Sequence, residues 1–127
     1  SARRREALMH PGAIVKAVYL HVQPVDFRKQ INGLSLIVEQ ELGLNPFDPA
    51  LYVFTNRRKT SIKILYWHRN GFCMWQKRLE KDRFAWPDEQ SKSSIYELET
   101  QQLQWLLEGF DLWRSGPHKS LNYRALS

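Results

Sequence analysis

A single cysteine, Cys73, stands among 127 residues, so no disulfide can form within the chain. Beside the four histidines it shows no metal-ligand spacing, and no structural zinc site is expected. The chain reads as a reduced, cytoplasmic protein. No apolar run approaches the ~20 residues of a membrane span. The mildly apolar stretch behind Arg3-Arg4-Arg5 is broken by His10, Pro11 and Lys16, which argues against a signal peptide. The 6 glycines build neither a phosphate-cradling loop nor a dinucleotide fingerprint. Carboxylates are few, 13 against 19 lysines and arginines, and scattered. Asp26 suits a helix cap, Asp48 a turn, Glu97 and Glu99 alternate with apolar neighbours, and Asp111 follows a helix. Nucleases and transposases need converging carboxylates to hold divalent cations. No such pair is spaced for it, so no catalytic residue, metal or cofactor is expected and the chain is not read as an enzyme.

What is present is positive charge and aromatic surface. The formal charge is +6 and the pI about 9.7. A basic balance points to an anionic partner, most often nucleic acid, against the plainer reading of an ordinary basic protein. With 43% apolar and 13% aromatic residues the composition is globular, and the length suits one domain with a modest core. Residues 1–12 are read as a poorly ordered extension, 13–114 as the domain and 115–127 as an irregular tail.

Residues 13–22, rich in valine and isoleucine, predict a first strand stopped by Pro24. Asp26 then looks like an N-cap, and Ile31, Leu34, Val38 and Leu42 form one apolar stripe of a helix over 27–42. Gly43 suits a left-handed residue just past its end. Residues 51–86 read as a four-stranded antiparallel meander. Its turns are placed at 56–59, at Asn70-Gly71, the preferred two-residue hairpin loop, and at Lys81-Asp82. A short strand at 94–98 and a helix at 100–110 follow. The expected fold is α+β, an antiparallel meander with two helices packed on one face, the first strand adding to the sheet.

An Asn70-Gly71 loop sets a register in which Lys63 faces Arg78 and His68 faces Cys73. One sheet face then carries Ile62, Ile64, Tyr66, Cys73, Trp75 and Leu79, joined by Phe84 and Trp86. That is the core side. Cys73 with His68 there is read as structural rather than as a thiolate dyad. The other face carries Lys63, Leu65, Trp67, Arg69, Phe72, Met74, Gln76 and Arg78, with Tyr52 and Phe54 added by a four-residue first turn. A like-charge Lys63–Arg78 pair costs a few tenths of a kcal/mol, about the scale of one cross-strand pair, and invites a phosphate. The alternative is a solvated face with Glu80 as neutraliser. Candidate DNA contacts are Arg28, Lys29, Arg57, Arg58, Lys59, Lys63, Trp67, Arg69 and Arg78. The same aromatic and basic surface also suits docking on another protein.

Several stretches together resemble a known family. They are Val25-Asp26-Phe27-Arg28-Lys29, Asn32-Gly33-Leu34, Leu51-Tyr52-Val53-Phe54, Asn56-Arg57-Arg58, and Ile62-Lys63-Ile64-Leu65-Tyr66-Trp67. After these come Asn70-Gly71-Phe72-Cys73, Lys77-Arg78-Leu79-Glu80, Arg83-Phe84-Ala85-Trp86-Pro87 and Leu106-Leu107-Glu108-Gly109-Phe110-Asp111. Over about 13–114 the chain resembles the small accessory protein of the insertion-sequence sixty-six class of bacterial transposons, TnpB-type or second-open-reading-frame-like. The resemblance implies a helper in transposition of a mobile genetic element, beside a separate, larger transposase that performs DNA recombination. Gln30, Asn32 and Asp82 depart from the family's usual glycine, aspartate and glycine. Expected partners are DNA of the element ends and the transposase of the same element, with self-association left open and no membrane. The function expected is a non-catalytic accessory that binds DNA; the alternative is an adaptor docking on the transposase.

Overall fold

The computed structural model describes residues 15–114 and the backbone of 124–126. The expected extension over 1–12 and most of the 115–127 tail lie outside them. Strand β1 (Ala17–His21) leads into helix α1 (Ile31–Leu36), which continues as a π-helical turn, Ile37–Glu41. Strands β2 (Ala50–Thr55), β3 (Ser61–His68) and β4 (Gly71–Arg78) follow, then β5 (Ile95–Leu98), helix α2 (Thr100–Leu107) and β6 (Arg124–Leu126). The sheet has six strands in the order β4-β3-β2-β1-β5-β6. The fold is α+β, as expected. Among the described residues only β1 and β2 pair in parallel, and a helix lies in the long crossover that parallel neighbours need. All other pairings are antiparallel.

The helices lie on opposite faces of the sheet, not on one. Val18, Leu20, Leu51, Val53, Ile62 and Ile64 pack with Leu103, Leu106 and Leu107 of α2. Their strand neighbours Tyr52, Phe54 and Leu65 pack with Leu34, Ile37 and Val38 of the first helix. The reason is in β2, whose residues are all buried. A strand apolar on both faces needs cover on both. Each large aliphatic side chain so buried is worth roughly 1.5–3 kcal/mol.

The first helix begins at Ile31, later than an Asp26 cap would place it. The Asp26 carboxylate instead accepts the backbone N–H and the guanidinium of Arg28. The carbonyls of Phe27 and Lys29, which a helix would use internally, turn to the Lys63 ammonium. Gly33 lets the Lys29 stem lie close, since a Cβ there would sit 3.1 Å from Lys29 Cβ. The helix ends as expected at Gly43, with φ +65° and Leu44 N–H donating to the Val38 carbonyl. Helix α2 starts in a reciprocal capping box between Glu99 and Gln102.

The meander holds three strands, not four. Residues 79–87 form no strand, because 80–83 are all charged and have no face to bury. Phe84 is still buried against the α2 side, and the Trp86 indole donates to the Val22 carbonyl. The expected side of the sheet holds for both residues without the Lys81-Asp82 hairpin. The β3–β4 register is also displaced from the expected one. His68 pairs with Gly71, Tyr66 with Cys73, Ile64 with Trp75, Lys63 with Gln76 and Ser61 with Arg78. Arg69 and Asn70, not Asn70 and Gly71, form the loop, and Arg69 takes the left-handed conformation at φ 58°. The displacement is two residues, so every side chain keeps its expected face. Finally, β6 pairs with β5 in a stretch read from sequence as irregular tail.

Candidate nucleic-acid interface

One end of the sheet collects most of the candidate cations. Val25 N–H donates to the Thr55 carbonyl, which brings Arg28 and Lys29 to the end of β2. The loop after β2 carries Arg57, Arg58 and Lys59, shaped by Asn56, whose side-chain carbonyl accepts the Thr60 and Ser61 N–H groups. Lys59 has φ 60°, in the left-handed region that few non-glycine residues adopt. The segment after β4 is tied to this loop twice, by Leu79 N–H to the Thr60 carbonyl and Phe84 N–H to the Lys59 carbonyl. Between those ties lie Lys81 and Arg83, both exposed. Neither was a sequence candidate, since a hairpin was expected there. A basic residue on either side of Asp82 was the available signal.

Charge at this end is partly used. Arg28 pairs with Asp26 at 2.6 Å, Lys59 with Glu89 at 2.6 Å and Arg78 with Glu80 at 3.3 Å. Hydrogen bonding from the Arg28 side chain, with help from its backbone N–H, holds the Asp26 carboxyl down at about 2. Arg57, Arg58, Lys81 and Arg83 make no ion pair among the described residues.

Lys63 is not at the surface. It is 2% exposed, its Nζ donates to the carbonyls of Phe27 at 2.8 Å and Lys29 at 2.9 Å, and it sits 4.6 Å from the centre of the Phe27 ring. The expected Lys63–Arg78 like-charge pair does not form, because Gln76 stands opposite Lys63. Cys73 likewise faces Tyr66, so the register brings no Cys73–His68 pair together. Trp67 and Arg69 sit at the far end of β3, by the hairpin tip. The strand Ser61–His68 separates them from the basic loop by roughly 20 Å, at about 3.3 Å per residue. There Trp67, Phe72 and Phe47 form a ring cluster, with centroids 4.9 to 5.3 Å apart. The nine sequence candidates therefore split into a basic end, a buried lysine and an aromatic tip.

Among the described residues no group of histidine, cysteine, aspartate or glutamate could hold a metal ion, and no helix is long and apolar enough to cross a membrane.

Comparison with known families decides the kinship. The family described as IS66 Orf2 like protein matches residues 16–117. The chain belongs to the IS66 Orf2-like family. That places it among the transposition accessory proteins of insertion sequences. Two relatives come from Sinorhizobium fredii (strain NBRC 101917 / NGR234). The uncharacterized protein y4hO is 34% identical over 106 residues, covering 84% of this chain and 90% of the relative. The uncharacterized protein y4jC is 29% identical over 97 residues, covering 76% and 81%. No solved structure matches the chain. The family match spans every element of the basic end, from Arg28 to Arg83.

Proposed function

We propose that this IS66 Orf2-like protein is a non-catalytic accessory that binds the DNA of element ends by gripping phosphates with its basic end. The observation carrying this reading is the pair of backbone ties that sets Lys81 and Arg83 beside the loop of Arg57 and Arg58. Four cations with no ion pair among the described residues are thereby gathered on one rim. Phosphate contacts of this kind supply affinity and position but no base reading. Each neutralised phosphate contributes roughly −0.9 to the slope of log affinity against log salt on duplex DNA. Four contacts give a slope of roughly −3 to −4. A salt titration against duplexes carrying the element ends and against random duplexes tests it, and no binding to either at low salt would exclude it.

The second reading is an adaptor that docks on the transposase. The observation favouring it is Phe47, 52% exposed on top of the Trp67–Phe72 cluster, the kind of aromatic surface enriched at protein interfaces. Retention of the transposase by the wild type and its loss in Phe47→Ala would support this reading.

A further inference from the structure

Strand β4 closes one side of the sheet, and β6 the other. Their edges differ. β6 has 3 residues, a short edge of the protected kind. β4 has 8 residues, Gly71–Arg78, with neither proline nor carboxylate among them. Its charges, Lys77 and Arg78, are confined to one end, and a long edge free of proline and bulges is a template for another strand.

The direction of its free backbone groups follows from one bond. Leu79 N–H donates inward, to the Thr60 carbonyl on the β3 side. Backbone groups alternate along a strand. Gly71, Cys73, Trp75 and Lys77 therefore bond inward to β3, and Phe72, Met74, Gln76 and Arg78 turn their N–H and C=O groups outward. Among the described residues no backbone group pairs with that outer edge.

We infer that β4 pairs antiparallel with β4 of a second copy of this chain, giving a two-fold dimer with a continuous sheet. The strand is complementary to itself in one register. Outward residues must meet outward residues, since both members of a hydrogen-bonded antiparallel pair exchange N–H and C=O. Setting Phe72 opposite Arg78 and Met74 opposite Gln76 engages all four outward residues on each copy. Sliding by one step strands either Phe72 or Arg78. In the same register Lys77 meets Cys73 and Arg78 meets Phe72, so no like charges stand directly opposite, an arrangement that would be destabilising. Arg78 can lie over the Phe72 ring, a favourable cation–aromatic pairing. Trp75 falls on the two-fold axis, opposite itself on the α2 face of the sheet. It is only half-buried within one copy and gains cover there. Every other register gives up hydrogen bonds at one end of the strand.

The test uses the full chain. Light scattering behind a sizing column should give twice 15.1 kDa, and Met74→Pro should give the monomer mass. Proline at 74 removes only an outward N–H, which edge strands tolerate, so circular dichroism and the melting profile should show a folded protein. A second variant is independent of that assumption. Cys73→Ser with Trp75→Cys should form a disulfide-linked dimer under mild oxidation, because a non-hydrogen-bonded antiparallel pair brings the Cα atoms to about 4.5 Å. Cys73→Ser with Lys92→Cys, on the loop before β5, should not. A wild type that runs as a monomer at its highest soluble concentration overturns the inference. So does a folded Met74→Pro that stays dimeric, or a Trp75→Cys variant that crosslinks no better than the Lys92→Cys control.

Discussion

The Nζ of Lys63 donates to the carbonyl of Phe27 at 2.8 Å, and this bond fixes the turn that delays the first helix. The lysine acts as a cap for a loop. Burial lowers its pKa from the ordinary lysine value, and Asp26 raises it. Two carbonyls and an aromatic ring face its Nζ.

Replacing Lys63 with methionine keeps the length but orphans the carbonyls of Phe27 and Lys29. The expected loss is about 1–3 kcal/mol of stability, the desolvation cost of unpaired buried acceptors. Arg78→Ala removes an exposed pair with Glu80 and should stay within about 0.5 kcal/mol of the wild type. Urea unfolding of the two variants checks both. A harmless Lys63→Met would mean that the loop holds itself without the lysine.

The hairpin makes a second prediction. Gly71 begins β4 at an ordinary negative φ, and an added Cβ would meet nothing within 4 Å. Gly71→Ala should therefore be neutral or stabilise by up to about 1 kcal/mol, because alanine restricts the unfolded chain. An Asn70-Gly71 loop of the preferred type would need a positive φ at that glycine, and the same substitution would then destabilise. Gly43→Ala is the contrast. At φ +65° a side chain is strained, and a loss of about 1 kcal/mol is expected. Thermal melts of both variants separate the two glycines.

How far the sequence was legible follows from these residues. The apolar stripe from Ile31 to Leu42 and the glycine after it were readable, because helix periodicity and a left-handed stop are local. The faces of β3 and β4 were readable from alternation alone. Alternation has a period of two, so it could not detect a register displaced by two, and Arg69 took a turn position that Asn-Gly chemistry would give to its neighbours. The role of Lys63 was hidden because its partners are backbone carbonyls 34 and 36 residues away in the chain. The basic end was half legible. Arg57 and Arg58 stand together in sequence, but Lys81 and Arg83 join them only through ties to Lys59 and Thr60.

Asp26 gives a pH dependence. Its carboxyl titrates at about 2 in the folded chain against an ordinary 3.8. A depressed carboxylate stabilises the fold above its unfolded value, and that contribution disappears as pH falls through the folded value. The Arg28 side chain is 92% exposed, so solvent and salt screen the pair and the effect is small. The melting-temperature difference between the wild type and Asp26→Asn should be constant near neutral pH and shrink between about pH 4 and pH 2. A difference that persists at the acid limit would place the role of Asp26 in its shape rather than its charge.

The basic end is tested by where charge removal matters. Arg57→Ala, Arg58→Ala, Lys81→Ala and Arg83→Ala combined take away the four cations on the tied rim. The salt slope for duplex DNA should flatten by roughly 3–4, about 0.9 for each phosphate that is no longer neutralised. Affinity should fall alike for element-end and random duplexes, because phosphate contacts carry no sequence. Arg69→Ala removes the same kind of charge at the far tip of β3 and should leave the slope unchanged. All five positions are exposed, so stability should hardly move, and circular dichroism serves as the control. If Arg69→Ala flattens the slope as much as any one rim substitution, the DNA-binding surface runs along the sheet instead of sitting at its end. If the fourfold variant binds with an unaltered slope, the rim does not hold the DNA and the aromatic tip around Phe47 becomes the surface to test against the transposase.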